Sequence, residues 1–240
     1  LGAACVCMLF ASSFSCKKDN GGGGGASNPP PTVDATVTVL ANDNKQVIQG
    51  FGCATAFNPP NTSAYTSQEF DRLFGSGPGQ VGLTILRIRL AADNGWRATE
   101  LNHALWAKNN GARIIASPWS PPASMKTNNN LIGGSLKLDS SAAYAQYLND
   151  FANYMAANGA PLYAVSVQNE PDISVSYESC DWTADAMRLF LKNHGHLVTS
   201  TLLMAPESFN NNQNYVNTIL NDAGAAANTD FISGHIYGKI

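Results

Sequence analysis

The chain has 240 residues, 44% hydrophobic and 13% charged, with a formal net charge of −3. That is enough chain for one sizeable core, and the mildly acidic balance argues against nucleic acid or any polyanionic partner. Of five cysteines none sits in a CxxC pair or in a Cys/His cluster at zinc spacing, so neither a metal nor a cofactor is expected.

Residues 1–15 are apolar and then small, too short to span a bilayer as a stable helix, and run into Cys16-Lys17-Lys18-Asp19. They read as the core and cleavage zone of an export signal that lacks its basic start. The stretch resembles a bacterial lipoprotein signal. That resemblance implies lipidation at Cys16, export, and anchoring to the outer membrane at the cell surface, although Phe14 and Ser15 depart from the usual box. Five glycines from Gly21 and three prolines from Pro29 follow. No strand precedes them and no Gly-Lys-Ser/Thr follows, so they form a flexible tether that turns stiff and not a phosphate loop. The expected domains are a truncated lipoprotein-type signal over 1–16, a linker over 17–32 and a partial barrel over 33–240.

From Val33 the pattern changes. Residues 36–40 alternate as a strand and Asn42-Asp43-Asn44 makes a turn. Strands are then expected over 48–54, 83–90, 113–119, 162–170, 202–207 and 231–237. Between them lie helical signals. Thr66-Ser67-Gln68-Glu69 is a capping box ahead of Phe70, Leu73 and Phe74. Leu101, Ala104 and Leu105 precede Gly111; Tyr144, Tyr147, Leu148, Phe151 and Met155 precede Gly159; Met187, Phe190 and Leu191 precede Gly195.

Strand and helix alternating in this way give an α/β fold with parallel strands. Gly50-Phe51-Gly52-Cys53-Ala54 lacks the later glycine and the immediate helix of a dinucleotide turn. A (β/α)8 TIM barrel is therefore expected, incomplete here at about six strands. The strand at 36–40 would be the orphan of a side β-sandwich. Cys53 and Cys180 could form one oxidised pair at a barrel face or stand as two unrelated thiols.

In such a barrel the site is built at the carboxyl ends of the strands. Alternation directs Arg87 and Arg89, Glu170, Glu207, and His235 with Tyr237 inward at that rim, and Trp119 follows the third strand. The same alternation puts Ala164, Ser166, Gln168 inward on the fourth strand, Leu203 and Ala205 inward on the fifth, and Phe231 and Ser233 inward on the sixth. Singly, the arginines and Glu207 read as a buried ion network and His235 as a core histidine. Together, with an indole and a phenol beside them, they suit a sugar ring, whose faces are apolar and whose edge is hydroxyls. Glycoside cleavage needs two carboxylates across the bond. By placement alone Glu170 and Glu207 could be that pair, with Asp93 and Asp172 less favourably set in loops.

Six segments carry a family likeness: Ile48-Gln49-Gly50-Phe51-Gly52, Ile85-Leu86-Arg87-Ile88, Ser117-Pro118-Trp119-Ser120-Pro121-Pro122, Val165-Ser166-Val167-Gln168-Asn169-Glu170-Pro171, Ala205-Pro206-Glu207-Ser208 and His235-Ile236-Tyr237-Gly238. In order and spacing they resemble glycoside hydrolase family 30, and within it the bacterial glucuronoxylan-cleaving xylanases. The resemblance implies a retaining endo-β-1,4-xylanase with Glu170 as acid/base. Asn169 would hydrogen-bond the sugar, which needs a local bulge. Arg87 would hold the nucleophile ionised, Trp119, His235 and Tyr237 would line the sugar subsite, and Arg89 and Glu207 would support them. The nucleophile implied by the family ends a seventh strand and is not among these residues, so this segment is expected to be inactive and, with two open sheet edges, poorly soluble. A relative acting on β-1,6-glucan or galactan, and a non-catalytic glycan-binding lipoprotein, are the competing readings. The expected partner is a polysaccharide, met by a monomer.

Overall fold

The computed structural model describes residues 47–57 and 65–237. The expected leader, linker and strand at 36–40 lie outside them. Within the body that starts at Ile48, six strands and six helices follow in the order β1 (Gly52–Ala54), α1 (Ser67–Phe74), β2 (Ile85–Leu90), α2 (Arg97–Asn109), β3 (Arg113–Pro118), α3 (Ser141–Ala157), β4 (Ala164–Ser166), α4 (Ala184–His194), β5 (Leu202–Ser208), α5 (Gln213–Leu220), α6 (Ala223–Ala227) and β6 (Phe231–Gly234). The strands form one sheet in sequence order, each parallel to the next. This is a half-barrel, the expected TIM fold carried as far as its sixth strand.

Each helix begins or ends where its sequence requires. Thr66 caps α1 with both halves of the capping box formed, its hydroxyl accepting from the Glu69 N–H while the Glu69 carboxylate accepts from the Thr66 N–H. Past the ends of α2 and α3, Gly111 and Gly159 take left-handed φ values of 87° and 84°, which a side chain would disfavour. The apolar stripes of the helices then meet the outer face of the sheet. Leu86, Ile88 and Leu90 of β2, Ile114 and Ala116 of β3, and Val165 and Val167 pack against Phe70, Tyr144, Leu148, Phe151, Met187 and Leu191 in one buried cluster. Each Val, Leu, Ile, Phe and Met side chain among them contributes roughly 1.5–3 kcal/mol by leaving water. Cys53 and Cys180 are both free thiols, and burial pushes both up, Cys180 to about 12.

The fifth strand departs from expectation. Val165 pairs with Leu203 and Ser166 with Met204, and neighbours in a parallel ladder share a face. Leu203 and Ala205 therefore lie on the outer face, in the helix-facing core, and Met204 is the inward residue. Glu207 reaches the interior all the same, because the register with β6 shifts between Pro206 and Ser208 and Glu207 itself has φ 57°. Beyond β1 and β6 no strand of the described residues is paired to the sheet, and Phe51, Ile232 and Ile236 are left exposed near those edges.

Candidate active site

The fourth strand ends in the irregularity that shapes the site. The Val167 N–H bonds to Met204 O on the β5 side, whereas the Asn169 N–H bonds to Pro118 O on the β3 side and the Glu170 N–H to Glu207 O on the β5 side. Residues two apart on a regular strand turn to the same neighbour, so one residue of register is gained at Gln168. The consequence is that Asn169 and Glu170, adjacent in sequence, both serve the interior. Glu170 takes φ 49° to do so.

Around them the rim is one connected network. Arg87 Nη2 donates to Asn169 Oδ1 at 2.6 Å and to Glu207 Oε1 at 2.5 Å, while its Nε donates to Ser117 Oγ at 2.9 Å. Ser117 Oγ in turn donates to Glu207 Oε1 at 3.0 Å. His235 bridges the two carboxylates, with Nδ1 at 2.9 Å from Glu170 Oε1 and Nε2 at 3.2 Å from Glu207 Oε1. Tyr177 adds its hydroxyl to Glu170 Oε2 at 3.5 Å.

Charge state follows from these contacts. Burial pushes the Glu207 carboxyl up, but the Arg87 guanidinium and the His235 hydrogen bond outweigh it and hold the group below its ordinary range. Burial pushes the His235 imidazole down, and its bonds to Glu207 and Glu170 more than restore it, so it lies above the ordinary histidine value. With Glu207 ionised and accepting from Nε2–H, the Nδ1 contact needs one further proton. That proton lies between His235 Nδ1 and Glu170 Oε1, whose heavy atoms are 2.9 Å apart.

The structure brings together Arg87, Asn169, Glu170, Glu207 and His235, with Tyr237 edge-on to His235 at 5.4 Å and Trp119 edge-on to Phe57 at 5.4 Å. Trp119 is 2% exposed, with the guanidinium of Arg87 4.7 Å and that of Arg89 5.1 Å from its ring centroid. The rings that face solvent are Phe57, Tyr177, at 49% exposed, and Tyr237, at 52%, the last stacked on Phe209 at 4.7 Å. Arg89 is ion-paired to Glu178. Asp172 accepts from the Ser208 hydroxyl and the Phe209 N–H and so braces the end of β5, and Asp93 caps a turn at Gly95. Sequence reasoning did not find Ser117, Tyr177 or Glu178. Ser117 was accessible by alternation, two residues before Trp119; Tyr177 and Glu178 lie in an aperiodic loop whose only signal is that it follows a catalytic-type strand end.

Two acidic groups at the carboxyl rim of a parallel barrel, with aromatic rings beside them, are the equipment of a glycoside hydrolase. The model of the glycosyl hydrolase family 30 TIM-barrel domain matches residues 87–239, and the chain belongs to that family. It is 40% identical over 207 residues, 84% of its length, to a glucuronoxylanase of Bacillus subtilis, of which the match covers 48%. A family 30 subfamily 8 xylanase structure from Clostridium acetobutylicum superposes with a TM-score of 0.74 at 41% identity, over 81% of this chain and 51% of that one. An endo-1,6-β-glucanase of Neurospora crassa is 31% identical over 127 residues, covering 48% of this chain and 26% of the relative. The chain thus spans about half the length of the xylanases it matches.

Proposed function

We propose that the chain supplies the acid/base half of a retaining glycoside hydrolase that cleaves β-linked plant cell-wall polysaccharide, with (glucurono)xylan as its substrate. The observation that carries the reading is the contact of His235 Nδ1 with Glu170 Oε1 at 2.9 Å, on a ring whose Nε2 reaches Glu207 Oε1 at 3.2 Å. A group that must protonate a leaving oxygen needs a proton at hand and a route to replace it. Glu170 is the acid, and His235 is its reservoir. Glu207 is support: its Oε1 takes three donors and its Oε2 is buried without a partner, which keeps it from a sugar carbon.

Substrate is held by the rest of the rim. The Asn169 oxygen is committed to Arg87, which leaves its amide NH2 for a sugar hydroxyl. Tyr177 and Tyr237 offer apolar faces on the solvent side of Glu170, and Trp119 backs the floor from beneath the guanidinium layer. The carboxylate that completes the pair is, on the family resemblance, the glutamate ending a seventh strand, and turnover is proposed for a protein that contains it. Export, with a lipid anchor on Cys16, belongs to the same reading and rests on the leader sequence.

The xylan reading is supported by the 40% identity to a glucuronoxylanase; a β-1,6-glucan reading is supported by the shorter match to a glucanase. Tryptophan fluorescence titration of the full chain with xylotetraose and with gentiotetraose separates them. Saturable binding of xylotetraose alone is the expected result, and binding of gentiotetraose alone would replace xylan by the β-1,6-glucan.

A further inference from the structure

Gln168, where the fourth strand gains its extra residue, is fully buried, and its side-chain amide is in use. Nε2 donates to Trp119 O at 2.7 Å and to Asn169 O at 3.0 Å. Both acceptors are carbonyls, so the nitrogen and not the oxygen of the amide must face them.

These bonds take over where the backbone ladder breaks. The Asn169 N–H reaches Pro118 O at 2.8 Å, and the next carbonyl of that strand end, Trp119 O, is met by the Gln168 side chain. An extra residue also frees carbonyls on its own strand, and these need donors. Val167 O accepts from the buried Tyr144 hydroxyl at 2.7 Å, and Asn169 O accepts from Gln168. The peptide unit joining Asn169 to Glu170 is thereby gripped at both ends, its C=O by Gln168 and its N–H by Glu207 O at 3.0 Å. That grip is what a non-glycine residue at φ 49° requires, since such a conformation persists only where its surroundings enforce it.

The other end of the same amide argues that geometry, more than stability, is what Gln168 supplies. Its Oε1 is buried without a partner. An orphaned oxygen offsets much of what two hydrogen bonds contribute to folding.

We infer that Gln168 is a positioning residue for the acid/base: its amide holds the Asn169 carbonyl against the end of the third strand and so sets the Glu170 carboxylate within reach of His235. The inference rests on the reading of Glu170 as the acid. Without the amide the peptide unit pivots about its bond to Glu207, and a swing of about 1 Å takes the 2.9 Å contact with His235 beyond hydrogen-bond reach.

The imidazole of His235 faces Glu170, Glu207, Arg87 and Tyr237, so its titration reports where the Glu170 carboxylate stands. The test follows its ring proton signal by NMR in the full chain, assigned by its loss in His235→Asn. Glu170→Gln should lower the midpoint by about 0.5 pH unit or more. Gln168→Met, of equal length but without donors, should reproduce at least about half of that shift. Met155→Ala removes a core side chain about three turns along α3 from Tyr144; it destabilises the fold and should leave the midpoint unchanged. A shift in Glu170→Gln with none in Gln168→Met, or an equal shift in Met155→Ala, overturns the positioning role and leaves the reading of Glu170 intact. No shift in Glu170→Gln overturns both. Should Gln168→Met not fold, the native chain supplies the answer. The Gln168 side-chain NH2 protons should exchange about 10²-fold or more slowly than those of the exposed Gln68, and exchange within about tenfold of Gln68 overturns the inference.

Discussion

His235 Nδ1 stands 2.9 Å from Glu170 Oε1, and the same ring reaches Glu207 Oε1 through Nε2 at 3.2 Å. The imidazole therefore couples the strand-four carboxylate to the strand-five carboxylate, and through Glu207 to Arg87. Protonation of any one member is felt by the others.

This coupling gives stability a pH profile with a definite sign. Folding raises the imidazole of His235, so its contribution is fully present below the ordinary histidine value, about pH 6.5, and is lost as pH rises through the folded value. Folding lowers the Glu207 carboxyl from its ordinary 4.5, so that contribution is present above 4.5 and is lost as pH falls through the folded value. Urea unfolding of the native chain and His235→Asn should differ most between about pH 4.5 and 6.5, with the difference shrinking toward pH 9. A difference that is flat across pH would show that the imidazole is not coupled to the carboxylates.

Arg87 is the cation that makes a buried Glu207 tolerable. Arg87→Met strands that carboxylate and should cost about 3–5 kcal/mol, read as a lower urea midpoint at constant slope. Adding Glu207→Met to it should recover part of the loss. A cost under about 1 kcal/mol for the single variant would mean that Glu207 is protonated or rehydrated without its partner.

Lys126 ties the loops of the site together from below. It is fully buried, and its Nζ donates to Ser120 Oγ at 3.0 Å, Leu131 O at 3.0 Å and Ser179 O at 2.5 Å. Lys126→Met leaves Ser120 Oγ and Ser179 O without that donor, while Leu131 O keeps the Ser179 N–H, and should cost about 2 kcal/mol at roughly 1 kcal/mol or more for each. Because Ser179 adjoins Tyr177 and Glu178, hydrogen exchange of the Ser179 and Gly133 amides should quicken by about tenfold or more in the variant. Unchanged exchange there would show that the loop holds its place without the lysine.

The sheet and its helices were legible because β2 to β5 are greasy on the face that meets helices and each main helix carries an apolar stripe followed by a glycine. Strand five misled for a physical reason. Counting back by twos from Glu207 crosses the register shift at Pro206–Ser208, and so assigns Leu203 and Ala205 to the wrong face. Helices α5 and α6 gave little signal, one opening in an asparagine-rich run with Tyr215 and Ile219 as its buried residues, the other built of alanine and glycine and started by the Asp222 cap. Of the site, the strand-end residues were readable. Tyr177, Glu178 and Lys126 were not, since they themselves lie in segments outside the strands and helices, where no period says which way a side chain points.

The role of Glu170 is tested most directly by turnover in a protein where this chain is continued through the C-terminal barrel strands of the Bacillus subtilis glucuronoxylanase it matches. On glucuronoxylan, Glu170→Gln should lose about 10²–10⁴ in kcat. With an activated aryl β-xylobioside, added azide should restore turnover and yield the β-configured glycosyl azide, the product of an intact nucleophile working without its acid/base. Turnover unaffected by Glu170→Gln, or an azide product of α configuration, would contradict the assignment.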